Sequence, residues 1–531
     1  MPYEAAVDAN EAARARRNTI SDALRRAARR HAERIALAFE DRNWSFHALD
    51  RAVDKVARGL IDGGLQAGDR LGAFGRNSDA YFILWLACAR AGLIHVPINY
   101  ALTGRELNYI LTQSGARAVM LDPKLRPALD AALDPGSRLE IGTLFGGNEL
   151  DVLSLATGTA DVAPVELPID DTDVVQLLYT SGTTSAPKGA MMTHRALLSE
   201  YMSCIVALDC VPQDTALAAL PLYHTAQMHC FTMPQMLAGV STRLIEAPVP
   251  EECLRLIEEH RVSSFFAPPT VWISLLRHPD FERRDLTSLR KLYYGASIMP
   301  VPILEDLRKR LPLAQPYNCY GQSEIAPLAT VLRPEDHAAR PASAGRPVFN
   351  VETRIVDAEM RDVPVGERGE IVHRSPQLMV GYWNKPEETR EAFEGGWFHS
   401  GDVGIMDAEG FITIVDRLKD VIKTGGVLVA SREVEEVLFT HPAVSEVAVI
   451  ALPDPKWIEA VTAVVVVRPG FEVDSEVLTA HCRERLAPYK VPKSIIFRAD
   501  LPRNTAGKLL KRELRAEYVD LVPAKAAGAG G

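Results

Sequence analysis

The sequence predicts an α/β fold: a large N-terminal domain of parallel βα subdomains with a small β-barrel, followed by a smaller, mobile C-terminal α+β domain. Three observations carry this expectation. The 531 residues exceed the roughly 100–200 that one domain holds. Helical stretches alternate with short apolar strands bounded by Gly, Pro or Asn, the pattern of βα units on a largely parallel sheet. Near Asp416 that alternation gives way to a compact mixture of strands and helices.

Taken in order, residues 19–36 (TISDALRRAARRHAERIA) place Ile20, Ala23, Leu24, Ala27, Ala28, His31 and Ile35 on one helical stripe with arginines opposite, which predicts one amphipathic helix with a solvated basic face. Helices are then predicted over 49–63, 80–91 and 104–114, with strands over 70–74, 94–97 and 118–121. A second βα series runs from about 174 to 311. Residues 351–356, 369–373 and 411–415 are β-rich with little helix between them, the signature of a small barrel or an antiparallel patch. Beyond them, 432–439 and 475–486 read as helices, and 447–452, 461–467 and 495–497 as strands. The expected division is 1–415, 416–523 and a disordered Ala/Gly tail at 524–531.

The 59 basic and 69 acidic side chains leave a net charge of −10, which argues against nucleic acid or an anionic membrane as the main partner. The seven cysteines are scattered and form no C-x-x-C pair, as expected of reduced thiols. The N-terminus has no apolar core of a signal peptide, and the apolar run 81–89 falls far short of the ~20 residues of a spanning helix. A cytoplasmic protein without a transmembrane segment is expected. The oligomeric state is open, a homodimer being one option.

Five segments carry chemistry. Tyr179-Thr180-Ser181-Gly182-Thr183-Thr184-Ser185-Ala186-Pro187-Lys188-Gly189 follows an apolar strand, and its glycines, hydroxyls and lysine suit a phosphate tail held on a strand-to-helix loop. It is not a Walker A loop, because Pro187 and Gly189 flank the lysine. Tyr317-Asn318-Cys319-Tyr320-Gly321-Gln322-Ser323-Glu324 offers a carboxylate for Mg²⁺. Trp397 to Gly404 places Asp402 on a glycine-flanked turn, where it could accept from ribose hydroxyls. Asp416 to Gly426 falls at the domain boundary, and Pro502 to Lys508 puts a lysine on a glycine loop.

In content and order these five segments resemble the adenylate-forming acyl-CoA synthetase superfamily, over about 21–518. The resemblance implies a two-step reaction: a carboxylate attacks the α-phosphorus of ATP, releasing pyrophosphate, and the thiol of coenzyme A then displaces AMP. It assigns Thr180 to Thr184 (Thr180, Ser181, Gly182, Thr183, Thr184) and Lys188 to the β- and γ-phosphates, with Gly295-Ala296-Ser297 and Asn318 to Gly321 (Asn318, Cys319, Tyr320, Gly321) flanking the adenine. Ser323 would reach the α-phosphate, Glu324 the Mg²⁺, and Asp402 and Arg417 the ribose. Lys508 would bridge carboxylate and α-phosphate, Lys419 would be the hinge, Lys423 would lie near the nucleotide, and Gly425-Gly426 would line the thiol tunnel.

The chain departs from the common pattern at Ser185-Ala186, where Gly and a variable residue are usual, and at Val427-Leu428, where Glu-Asn often stands. His224 resembles the family's histidine beside the acyl site, and Tyr223, Gln227, Met228, Tyr293 and Ile325 are the accompanying pocket candidates. With no Arg or Lys among these to pair a second carboxylate, a monocarboxylic acid is expected, a medium- or long-chain fatty acid in preference to malonate. The alternatives are an aryl acid and a carrier-protein thiol as acceptor.

Overall fold

Thr19 opens the first helix, Ile20–Arg30, with a capping box, its hydroxyl accepting from the Asp22 N–H while the Asp22 carboxylate accepts from the Thr19 N–H. Ile20, Ala23, Leu24, Ala27 and Ala28 turn inward as the stripe predicts. The helix stops at Arg30, however, and Ile35 begins a strand, Ile35–Phe39, that pairs in parallel with Ser241–Leu244. The strand pairs on its other side with Arg42–Ser45 in a tight hairpin, and the apolar stripe of the helix runs on through Ile35, which is why a single helix over 19–36 was expected. The computed structural model describes residues 15–147, 150–180, 186–297, 299–424, 427–454, 457–503 and 509–519. The tail expected at 524–531 lies outside them.

Two mainly parallel sheets dominate. One has nine strands, in the spatial order 346–347, 328–332, 315–321, 291–295, 264–266, 215–218, 241–244, 35–39, 42–45; the other has six, in the order 140–143, 116–121, 70–74, 94–98, 174–180, 188–193. The helix Asp79–Ala91 is buried along its whole length. An element that is apolar all round needs cover on every side, and here it packs with the helices Ile20–Arg30 and Phe46–Asp62. Its one charged residue near the end, Arg90, is fully buried but satisfied by Asp50, Asp54 and the Ser21 hydroxyl.

Residues 352–417 form a four-stranded antiparallel meander, Glu352–Val356, Arg368–Arg374, Phe398–Met406 and Ile412–Arg417. This corrects the barrel expectation in favour of the antiparallel patch, because its first and last strands are edges that do not pair with each other among the described residues. Asp402 is also corrected: it lies inside the strand Phe398–Met406, opposite Arg417, not on a hairpin turn. The last sheet joins Val427–Val429, Ile422–Thr424, Ile458–Val467, Val444–Asp454 and the parallel strand Ser494–Arg498, covered by Ser431–Phe439, Ser475–Arg483 and Lys511–Tyr518. Two large apolar cores fill the space around the parallel sheets, and smaller separate ones serve this last sheet.

Buried histidines stitch the second sheet to its helices. Gln176 bonds His95 Nδ1 at 3.0 Å through its amide nitrogen and His229 Nε2 at 2.7 Å through its oxygen, and His229 Nδ1 meets the Tyr201 hydroxyl at 2.7 Å. Burial pushes His95 and His229 down to about 3, and His194, His337 and His373 to about 4. An unfolded chain takes up protons at these sites below about pH 6.5, whereas the folded one does not. Stability should therefore hold above pH 6.5 and fall as the pH drops from there toward 4, by on the order of 1 kcal/mol per neutral buried histidine at pH 5.5. Urea unfolding between pH 7.5 and 5 checks this, and a level profile would contradict it.

Candidate active site

The strand Val174–Thr180 ends at Thr180, and Lys188 stands directly opposite it on the antiparallel neighbour Lys188–Thr193. The hydroxyl-rich segment is thus followed by a strand antiparallel to the one before it and not by a helix, which begins only at His194. Ser181, Gly182, Thr183 and Thr184 lie outside the described residues. Residues 381–383 strap the hairpin: the Met191 N–H donates to the Gly381 carbonyl and the Trp383 N–H to that of Gly189.

From the first sheet, the strand Gln315–Gly321 delivers Ser323 and Glu324 to the same place. Thr180 Oγ1 donates to Glu324 Oε1 at 3.1 Å, and the Tyr382 hydroxyl donates to the same oxygen at 3.0 Å. Lys188 Nζ stands over the Tyr382 ring, 4.6 Å from its centroid. Burial, with the Glu324 carboxylate beside it, holds the Tyr382 hydroxyl protonated far above its ordinary range. Ser323 Oγ meets Thr225 Oγ1 at 2.8 Å. A hydroxyl, a cation and a carboxylate converge at this corner.

A cavity of about 290 Å³ opens alongside, lined by Ala296, Ser297, Asn318 to Gly321, Asp402, Arg417 and Lys419, with residues 509–512 on its far wall. Gly295 closes the strand beneath, and a Cβ there would stand 2.3 Å from the Cys319 carbonyl oxygen. Asp402 is the most constrained group. Its Oδ2 accepts from the Tyr320 hydroxyl and the Gln322 amide, each at 2.8 Å, and its Oδ1 faces Arg417 Nε at 3.1 Å. Lys423 does not join this wall; it is exposed on Ile422–Thr424, where its N–H donates to Glu459. Lys508, Gly425 and Gly426 lie outside the described residues.

The acyl candidates divide. His224 and Gln227 line a cleft of about 20 Å³ with Phe266, Pro268 and Ala296. Tyr223 is partly buried, edge-on to Tyr100. Met228, Tyr293 and Ile325 are instead buried core residues, and the Tyr293 hydroxyl is tied to the Leu208 carbonyl at 2.8 Å. Sequence reasoning missed Tyr382, Gln322 and Thr225. The aromatic pair after Gly381 was the one available signal for the first, and nothing in a sequence marks a Gln or Thr that meets its partner only in the fold.

A cavity with a paired Asp–Arg in its wall, and a corner of lysine, hydroxyls and carboxylate a few residues along the chain from that wall, suit a mononucleotide with its phosphates, and hence an enzyme that activates a substrate by nucleotidyl transfer. Residues 24–383 match the family described as AMP-binding enzyme, and residues 433–508 match its AMP-binding enzyme C-terminal domain. The chain belongs to this family and is an acid–thiol ligase.

It is 39% identical to a feruloyl-CoA synthase of an Amycolatopsis species over 475 residues, 89% of this chain and 94% of the relative. It is 35% identical to a long-chain-fatty-acid–CoA ligase of Mycobacterium tuberculosis over 492 residues, 91% and 95% of the two chains. Among solved structures, ATP-bound MatB from Rhodopseudomonas palustris superimposes with a TM-score of 0.88 at 30% identity, over 95% of this chain and all of that one. The anthranilate CoA ligase AuaEII with anthranoyl-AMP gives 0.87 at 28%, over 94% and 97%.

Tyr382→Phe tests the corner, since it deletes one donor to Glu324 but keeps the ring beneath Lys188. A hydrogen bond to a charged group contributes about 1.5–3 kcal/mol, so kcat/KM for ATP should fall by at least about tenfold with the acid's KM little changed. Steady-state kinetics with each substrate varied in turn decides it, an unaltered ATP profile being the adverse result.

Proposed function

We propose that the chain is an ATP-dependent, AMP-forming coenzyme A ligase for an aryl-propenoic acid of the ferulate type. The observation that carries the choice of acid is the 39% identity to feruloyl-CoA synthase over nearly the full length of both chains. The packing of Met228, Tyr293 and Ile325 supports it, because these pocket candidates for a fatty acid are buried in the core. His224, Gln227 and Phe266 are left to flank a planar acid.

In the first step the carboxylate oxygen attacks the α-phosphorus, the bond to the β-phosphate bridging oxygen breaks, and pyrophosphate leaves. Thr180 with residues 181–184 and Lys188 hold the departing phosphates; Ala296, Ser297 and Asn318 to Gly321 enclose the adenine; Asp402 and Arg417 take the ribose hydroxyls. Negative charge grows on the α-phosphoryl oxygens, where Lys508 supplies a fixed cation. In the second step the sulfur of coenzyme A attacks the acyl carbon, AMP leaves with the bonding pair, and the thiol proton is released.

Glu324 fits a Mg²⁺ site. Both donors described at this carboxylate use Oε1, and a lone carboxylate beside phosphate oxygens is the partial shell that a hard, water-retaining cation accepts. Bound there, the ion would neutralise charge on the phosphates. Residues 1–415 and 416–523 act as two units joined at Lys419, the second presenting Lys508 for the first step and Gly425-Gly426 for the next.

Lys508→Ala should slow acyl-AMP formation by roughly 10²–10³ while leaving thioester formation from supplied acyl-AMP largely intact. Equal loss in both half-reactions would remove the lysine from its assigned step. Pyrophosphate release measured over ferulate, 4-coumarate, benzoate, malonate, octanoate and palmitate tests the acid. The highest kcat/KM should fall on the hydroxycinnamates, and a maximum on a fatty acid would restore the long-chain reading.

A further inference from the structure

Behind Glu324 lies a buried polar cluster to which the reaction gives no part. Glu200 is wholly buried on the helix His194–Ala207, and among the described residues no cation pairs with it. Its Oε1 accepts from the Leu328 N–H at 2.9 Å and from the Cys204 thiol at 3.1 Å, while Oε2 accepts from the Gln377 amide. Gln377, equally buried, uses the same amide nitrogen on the carbonyls of Leu328 at 3.0 Å and Ile325 at 3.4 Å, and its oxygen accepts from Ser203 at 2.6 Å. Two residues along, the Met379 N–H donates to the carbonyl of Glu324 itself at 2.9 Å.

The short segment 324–328 is therefore gripped from the rear by two side chains and one main-chain group. Its front carries the carboxylate that meets Thr180 and Tyr382. Burying a carboxyl without a cation is costly, and burial raises this one to about 8 although every neighbour donates to it. An apolar side chain of the same size would fill that space at less cost. What it would not do is join the helix, the 324–328 segment and the 375–379 segment in one network.

We propose that Glu200 and Gln377 are positioning residues that hold Glu324 in register with Thr180 and Tyr382, so that the corner is formed before the nucleotide arrives. The inference rests on the role given to Glu324 above, and the test separates the two. Binding of a non-reacting α,β-methylene ATP analogue is followed by calorimetry while Mg²⁺ is titrated, in the wild-type chain and in the variants Gln377→Leu, Glu200→Leu, Ser203→Ala and Glu324→Ala. The KM of the acid and the thermal midpoint are recorded alongside.

Glu324→Ala should abolish most of the Mg²⁺ dependence. Gln377→Leu and Glu200→Leu should each move the Mg²⁺ midpoint upward by about tenfold, the loss typical of a group supporting a ligand from behind, with the acid's KM unmoved. Ser203→Ala, which loosens Gln377 without emptying the core, should give a smaller shift of the same kind and serves if the other two do not fold. Variants that melt earlier yet keep the wild-type midpoint would overturn the proposal, because packing alone predicts that result. A Glu324→Ala chain with unchanged Mg²⁺ dependence would overturn the role of Glu324, and the positioning role with it.

Discussion

The hydrogen bond from Thr180 to Glu324 joins the two parallel sheets at the corner of the site. Thr180 closes a strand of the six-stranded sheet and Glu324 follows one of the nine-stranded sheet, and 144 residues of chain separate them. Neither sheet alone makes a site. Ligands on open parallel sheets gather beyond the carboxyl ends of the strands, and here both sets of ends point to one corner. Tyr382 arrives from a third segment and seals the junction by donating to the same carboxylate oxygen, with its ring under Lys188. Displacing any of the three would separate a hydroxyl, a cation or an acid from the other two.

Much of this was legible in the sequence because it is local. The helix Gly104–Ser114 and the strand Arg70–Phe74 stand where their periodicity puts them, each with turn-forming residues at its ends. The motif residues Asn318 to Gly321, Asp402 and Arg417 do share a wall. What could not be read depends on partners far along the chain. Ile35 continues a helical stripe as well as it starts a strand, and its pairing with Ser45 on one side, with Thr242 opposite Leu37 on the other, decides. Asp402 sits between a glycine and a valine that look like a turn, and its strand character comes from the register with Arg417. Met228 and Ile325 have the composition of a pocket and the burial of a core, a distinction that resides in packing alone.

The contact between the linker after the meander and the C-terminal helix is ionic, unlike the apolar cores beside it. Lys511 is half-buried against Glu435 and close to Asp416 and Asp420, and Arg515 pairs with Asp420. Burial opposes the charge on Lys511, but the surrounding carboxylates prevail and raise it above its ordinary value. Such pairs hold direction well and add little net stability compared with an apolar contact of equal area. An interface of this kind can be exchanged for water and for other partners at modest cost, unlike the close-packed cores on either side.

All seven cysteines are buried and unpaired, and burial pushes Cys210 and Cys253 up to about 12 and Cys482 to about 11, with the others also raised. The thiolate is the nucleophile in sulfur chemistry, and a thiol held protonated is inert. This matters most at Cys319, which lines the cavity beside Asp402 and Arg417. A ligase that makes a mixed anhydride and then admits a reactive thiol is exposed to a side reaction, acylation of its own sulfur. By keeping every sulfur of its own in the protonated form, this chain leaves the incoming thiol without an internal competitor.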